Sequence, residues 1–325
     1  MKSIWSQVCM AVVLGLASQA GAVAQSFPTR PVKLNVTTTP ATAADIVARL
    51  LGQRLTESWG QAVVIENQAG AAGSIGAAAV AKAPPDGHTL LVGYVNHAIN
   101  PSLYRDIPFD IIKDFKPIVR VAVAPLVILA HPSFPANNIP ELIALAKSRG
   151  KANQIFYGSA GSGSILHLAF ELLMAQSAIG MTHTPYKAAS QMTADLLGNQ
   201  IPLASLAVAT GLPLIASGKL KALAVTSAKR SSNLPNVPAV AESGLEGYDV
   251  SAWNGLLAPA NTPDAIIEKI HADVRRVAQT REFAELLSKQ GMDVALLNPG
   301  EFRAFFASEV VKWTKLVKDT GVKVD

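Results

Sequence analysis

Apolar positions recur along this chain with two periods, and the two alternate. Residues 32–36 read Val-Lys-Leu-Asn-Val, the period of two expected of a strand, and residues 43–58 place Ile46, Val47, Leu50, Leu51 and Leu55 on one helical face. A strand follows at 62–65 and a helix of small residues at 74–82. Pro84-Pro85-Asp86-Gly87 is a turn by composition, and 89–93 reads as a buried strand. This βα rhythm predicts an α/β sheet.

Residues 115–130 form a longer apolar run, broken only by Lys116, Pro117, Arg120 and Pro125, and exceed what one strand of a compact lobe needs. The rhythm then resumes. A helix is expected at 140–148, a strand at 154–157, a helix from Ile165, strands at 182–185, 201–206 and 220–226, and a helix at 191–197. Residues 251–258 are again extended and apolar, and helices starting near Pro263, Glu282 and Gly300 finish the chain. Two long crossings of this kind build one lobe from both ends of the chain (25–125 and 250–325) and a second from its middle (126–249). The expected fold is therefore a two-lobed α/β protein with two interlobe crossing strands. Its lobes close by hinge motion on a ligand held between helix N-termini.

Composition narrows the function. Residues 1–24 carry Lys2, an apolar run from Val8 to Leu16 and the small-x-small sequence Ala22-Val23-Ala24, which together predict a secretory signal peptide cleaved near Ala24. The single cysteine, Cys9, falls inside that leader, so no disulfide is expected in the exported chain. The net charge of +5 is spread over helices without a basic block or interleaved aromatics, which argues against nucleic acid as a partner. The six histidines show no H-x-x-x-H spacing and no partner carboxylate at metal-ligand spacing. Neither a metal, nor a cofactor, nor catalysis is expected.

One stretch stands out chemically. Tyr157-Gly158-Ser159-Ala160-Gly161-Ser162-Gly163-Ser164 leads from a β-rich run into the apolar helix that starts at Ile165. Backbone N–H groups then converge at the positive end of a helix dipole, a place to hold an anion. It is not a dinucleotide fingerprint, because Leu166 stands at the third glycine position, and it lacks the Gly-Lys of a phosphate-binding P-loop. Nor is it a G-x-S-x-G nucleophile elbow: Tyr157 and Ala160 precede Ser159 and Ser162 at the first glycine position.

Along nearly all of its exported length the chain resembles the extracytoplasmic substrate-binding proteins of tripartite tricarboxylate transporters, the Bug receptor family. The resemblance is carried by Ala83-Pro84-Pro85-Asp86-Gly87-His88-Thr89-Leu90-Leu91, His97-Ala98-Ile99-Asn100-Pro101-Ser102-Leu103-Tyr104, His183-Thr184-Pro185-Tyr186-Lys187, and residues 218–226. The run Glu66-Asn67-Gln68-Ala69-Gly70-Ala71-Ala72-Gly73-Ser74-Ile75-Gly76 is similar to the family's Glu-Asn-Arg-Pro-Gly-Ala-Gly-Gly-Asn-Ile-Gly. It implies a type II periplasmic binding-protein (Venus flytrap) fold, expected as a monomer. Such a receptor captures a small organic carboxylate and hands it to the membrane permease subunits. A receptor of the same build that addresses a sensor kinase is the alternative, and an exported enzyme a remote one.

The resemblance also implies where the carboxylate sits, on two helix N-termini. In the first loop the family's Pro-Gly-Gly-Ser-Thr-Asp is replaced by Pro40-Ala41-Thr42-Ala43-Ala44-Asp45, so two glycines are lost and Thr38, Thr39 and Thr42 supply hydroxyls instead. Thr42 and Asp45 also fit a capping box. In the second loop Ser159, Gly161, Ser162 and Ser164 keep their donors, while Leu166 stands where the family carries threonine. Leu206-Ala207 replaces a polar pair, which puts Ala207 at the pocket wall, and Tyr94 and Asn96 follow the 89–93 strand as further contacts. His167 reads as a packed core histidine, and Trp253 as either core or cleft wall. Three apolar replacements favour a less polar monocarboxylate, aromatic acids included, over a tricarboxylate, because each unmet polar group costs roughly 1–3 kcal/mol.

Overall fold

The computed structural model describes residues 27–149 and 154–324, so the expected leader at 1–24 lies outside the described residues. The first segment contains β1 (Val32–Val36), α1 (Ala43–Trp59), β2 (Val63–Asn67), α2 (Ser74–Ala81), β3 (Thr89–Tyr94), α3 (Asn96–Leu103) and β4 (Phe115–Ala130). The middle contains α4 (Ile139–Arg149), β5 (Ile155–Ser159), α5 (Ile165–Ser177), β6 (Met181–Pro185), α6 (Ala189–Leu197), β7 (Leu203–Ala207), α7 (Val208–Ala216) and β8 (Lys221–Val225). The last contains β9 (Ser251–Pro259), α8 (Asp264–Ala278), α9 (Arg281–Ser288), β10 (Asp293–Leu297) and α10 (Pro299–Thr320).

The strand β4 organises the sheet. From Phe115 to Pro125 it runs antiparallel to β9, β9 pairs with β3, β3 with β1 and β1 with β2, while β10 takes the other edge of β4. From Leu126 to Ala130 its partners change to β7 and β8, and β7 continues to β5 and β6. One strand thus serves two half-sheets, and its side chains are covered on both faces, which explains a run of sixteen mostly apolar residues. The chain returns beside the same point: Val250 N–H donates to Thr226 O (2.8 Å) and Thr226 N–H to Leu126 O (2.9 Å), next to the Pro125–Ser251 pair. This is the two-lobed binding-protein fold with interlobe crossings that the apolar pattern predicts.

Three elements differ from the sequence reading. The helix α3 contains Pro101 and α7 contains Gly211 and Pro213, residues that normally interrupt helices, so neither was expected. All five residues of β10 are half-buried, so no alternation marks it. Asn96, expected in a loop, is the first residue of α3.

Opposite faces of the sheet carry different cores. Val32, Leu34, Val36, Leu90, Val92, Ala122, Leu256 and Ala258 pack with α1 and α8. On the other face Trp253, Leu257, Phe302, Phe306 and Trp313 pack with Leu126, Tyr157, Leu168 and Phe170, so this core spans both lobes. Trp253 is 1% exposed, which makes it a core residue of the hinge and not a cleft wall.

Candidate functional site

The loop between β1 and α1 is held by its own side chains. Thr42 is the N-cap of α1, its hydroxyl accepting from Asp45 N–H (3.4 Å) and donating to Thr39 O (3.1 Å). The Thr38 hydroxyl lies 2.6 Å from that of Thr42 and is therefore the donor to it. Asp45 completes a capping box of altered form, its Oδ2 accepting from Ala41 N–H (2.9 Å) and Arg49 Nε (2.9 Å) and its Oδ1 from Asn67 Nδ2 (2.9 Å). Burial pushes the Asp45 carboxyl up, but these hydrogen bonds outweigh it and hold the pKa below the usual carboxylate value.

Ala41, anchored in this way, sits at φ +66°, the left-handed region that its family counterpart glycine would enter freely. The turn before α2 repeats the device: Ala71 and Ala72 stand at φ +45° and +54°, and Ala72 O accepts from Asn100 Nδ2 (2.7 Å) and Tyr94 Oη (3.4 Å). Ala41→Gly and Ala72→Gly each relieve roughly 1–2 kcal/mol of steric cost against roughly 0.4–1 kcal/mol of added unfolded-chain entropy. Each variant is expected to be about 0.5 kcal/mol more stable in urea titrations, and a loss of stability would contradict the strain.

Tyr94 closes this half of the site. Its hydroxyl reaches the space beside Thr37 and Gly73, where a Cβ on Gly73 would lie 3.0 Å from both Thr37 Oγ1 and Tyr94 Oη. His97 Nδ1 accepts from Tyr94 N–H (3.2 Å), so Nε2 carries the hydrogen and donates to Thr37 Oγ1 (3.1 Å). Burial pushes the His97 pKa down to about 3 and the Tyr94 phenol up to about 12. Asn96 is half-buried at the start of α3.

The second half lies at the C-terminal end of β5. Ser164 caps α5, its hydroxyl accepting from His167 N–H (3.3 Å) and donating to Gly161 O (2.7 Å). Ser159, fully buried, also directs its hydroxyl to Gly161 O (3.0 Å) and lies 2.7 Å from His183 Nε2. Gly163, at φ +74°, donates its N–H to His167 Nδ1 (3.1 Å), and a Cβ there would strike Leu103 of α3 and Val324, so this loop packs against the other lobe. The hydroxyls of Ser159 and Ser164 and the Gly163 amide are thus committed internally. Ser162 makes no side-chain hydrogen bond among the described residues, and Ile165 and Leu166, the first residues of α5, have amides with no intrahelical acceptor.

Behind the loop lies a polar network that local spacing does not show. His167 Nε2 donates to Glu171 Oε1 (3.1 Å), which also accepts from the Tyr157 hydroxyl (2.8 Å), and His183 stacks on His167 with centroids 3.7 Å apart. Burial pushes the Glu171 carboxyl up, but the bonds from His167 and Tyr157 outweigh it and lower the pKa; burial also drives the His183 pKa down to about 4. The Ser159–His183 contact resembles a nucleophile–base pair, yet the serine is sealed from solvent and the carboxylate is bonded to the wrong histidine for a triad. The described residues contain no group of His, Cys, Asp or Glu that could hold a metal.

Ala207 ends β7 and precedes α7, half-buried and opposite Leu126. Ser205 on the same strand donates to Leu166 O (2.8 Å), which ties β7 to the start of α5. Hydrogen bonds run within each half of the site, and none joins the halves among the described residues. A cavity of about 730 Å³ lies by the hinge, lined by Arg120, Ser227–Ser232, Asp249 and Asp293. None of the candidate residues lines it.

The family model for the tripartite tricarboxylate transporter family receptor matches residues 47–322. The chain belongs to that family. The receptor is 33% identical over 303 residues to the protein BugT of Bordetella pertussis, covering 93% of this chain and 92% of that one. Among solved structures it is similar to R. palustris Rpa4515 with adipate (32% identity, TM-score 0.74, 91% and 99% of the two chains). It is likewise similar to MatC from Rhodopseudomonas palustris with bound malate (30% identity, TM-score 0.69, 90% and 100%).

Two of the receptor's histidines, buried His97 and half-buried His183, make its stability depend on pH. A histidine whose folded pKa is depressed binds its proton less readily folded than unfolded, so stability is full above about pH 6.5 and falls as pH drops toward the folded value. With folded values of about 3 for His97 and about 4 for His183, the loss begins near pH 6.5 and runs to about pH 4 for His183 and about pH 3 for His97. For fully buried His97 it amounts to about 2 kcal/mol at pH 5. Melting temperatures across this window are expected to fall toward acid, and His97→Gln to flatten the slope; an unchanged slope would contradict the assignment.

Proposed function

We propose that this receptor is a periplasmic solute-binding protein that captures a small organic carboxylate between its lobes and delivers it to the permease subunits of a tripartite transporter. In this reading residues 126–249 close as a unit against 25–125 and 250–325. The observation that carries it is the open N-terminus of α5, where the Ile165 and Leu166 amides and the Ser162 hydroxyl are unspent while the Ser159 and Ser164 hydroxyls and the Gly163 amide are committed. A carboxylate there completes the helix end and meets its positive dipole. The hydroxyls of Thr38 and Thr42 donate within their own loop, so α1 contributes its dipole more than its side chains. Two relatives of the same build bind adipate and malate, which supports a carboxylate. The half-buried Leu166 and Ala207 at the site favour an acid with a mainly apolar body.

Reconstitution tests the delivery step. Liposomes carrying the two permease subunits are expected to accumulate a labelled acid only when the loaded receptor is present outside. Tight binding without receptor-dependent uptake would instead indicate a sensing role.

A further inference from the structure

Asn254 is 1% exposed, and its Nδ2 has no hydrogen-bond partner. A buried amide donor left unpaired costs roughly 1–3 kcal/mol, so its retention calls for a partner that the free chain does not supply. Two other buried side-chain atoms share this state among the described residues. Asn35 Oδ1 is an acceptor facing α2 beside Gly76, and Asn233 Nδ2 belongs to the loop that bonds Ser288 and, through Ser231 and Ser232, Asp293. Neither points a donor at the site.

The position of Asn254 follows from register and pleat. Its cross-strand partners are Tyr94, the last residue of β3, and Ala122 of β4, four residues before the β4 pairing changes lobes at Leu126. Side chains alternate along a strand: Trp253 and Leu257 enter the core around α10, whereas Leu256 and Ala258 enter the core beneath α1 and α8. Asn254 therefore lies on the α1 face, as do its partners Ala122 and Tyr94, which pack against that core. It stands at the sheet end where Thr37–Thr42 begins α1.

We infer that Asn254 is a specificity-determining ligand contact at the back of the interlobe cleft, donating from Nδ2 to a second acceptor oxygen at the end of the acid remote from the α5 loop. The inference rests on the carboxylate reading above and deepens it. It selects for an acid with an apolar middle and an oxygen at each end over one that ends in a methyl group.

Adipate and hexanoate, which share a six-carbon chain and differ by one terminal carboxylate, test it in calorimetric titrations of the full exported chain. The unaltered receptor is expected to bind adipate at least about 10-fold more tightly than hexanoate. Asn254→Leu is expected to reduce that ratio to near one, chiefly by weakening adipate, and Asn254→Asp to abolish adipate binding. In acid-free protein Asn254→Leu is expected to melt no lower than the unaltered chain, because it removes an unpaired donor. A ratio unchanged by Asn254→Leu, or an acid-free variant that melts far lower, overturns the inference and leaves the carboxylate reading standing. A receptor that binds benzoate but neither adipate nor hexanoate overturns the inference alone, and one that binds no carboxylate defeats that reading and the inference together.

Discussion

Trp253→Ala is expected to destabilise the receptor by about 4 kcal/mol, the largest single loss anticipated for this chain. The indole sits edge-on to Phe302, Phe305 and Phe306, at centroid distances of 5.6, 5.8 and 5.2 Å, in the core that spans the lobes. Its Nε1–H donates to Glu309 Oε2 (3.1 Å), which also accepts from Trp313 Nε1 (3.1 Å), while Lys312 pairs with the other carboxylate oxygen. Truncation therefore opens a cavity and strips one donor from a buried carboxylate at once. Trp253→Phe keeps most of the packing and is expected to lose only about 1–2 kcal/mol, the share of the hydrogen bond. Urea unfolding measures both. If Trp253→Ala left stability intact and weakened ligand binding instead, the residue would belong to the cleft and not to the core.

The second large effect concerns binding. Ser162→Asp places a carboxylate beside the α5 N-terminus, where the ligand's own carboxylate is proposed to sit. Two like charges about 4 Å apart repel by about 4 kcal/mol at an effective dielectric of about 20, so affinity is expected to fall at least about 100-fold. The fold should tolerate the change, since Ser162 is half-buried, makes no side-chain bond among the described residues and precedes a helix end that favours acids. Ser162→Ala, which removes one hydroxyl, is expected to cost about 1 kcal/mol of binding. Equal affinity in Ser162→Asp and the unaltered receptor would move the carboxylate away from this loop.

Much of this architecture is legible in the sequence for a physical reason. Strands β4 and β9 are buried on both faces, so they stand out as apolar runs whose length alone indicates a crossing. By contrast β10 is half-buried throughout and carries no period, and α7 forms despite Gly211 and Pro213. The two candidate loops are equally visible, since glycine, serine and threonine before an apolar helix mark a helix start. What local pattern cannot reveal is their wiring. His183 meets Ser159 only because β5 and β6 pair in parallel, and Asn254 comes to lie between Tyr94 and Ala122 only because β9 runs between β3 and β4. The lost family glycines misdirect in another way: Ala41 and Ala72 still take left-handed conformations, held there by Asp45 and by Tyr94 with Asn100, so the loop shapes survive the substitutions.

Calorimetric titration of the ligand-free receptor with citrate, adipate, hexanoate and benzoate tests the central claim most directly. The account predicts one-to-one binding of at least one of the three acids less charged than citrate, lost in Ser162→Asp, with citrate at least about 10-fold weaker than the best of them. Tightest binding by citrate, or no binding by any carboxylate, would contradict it.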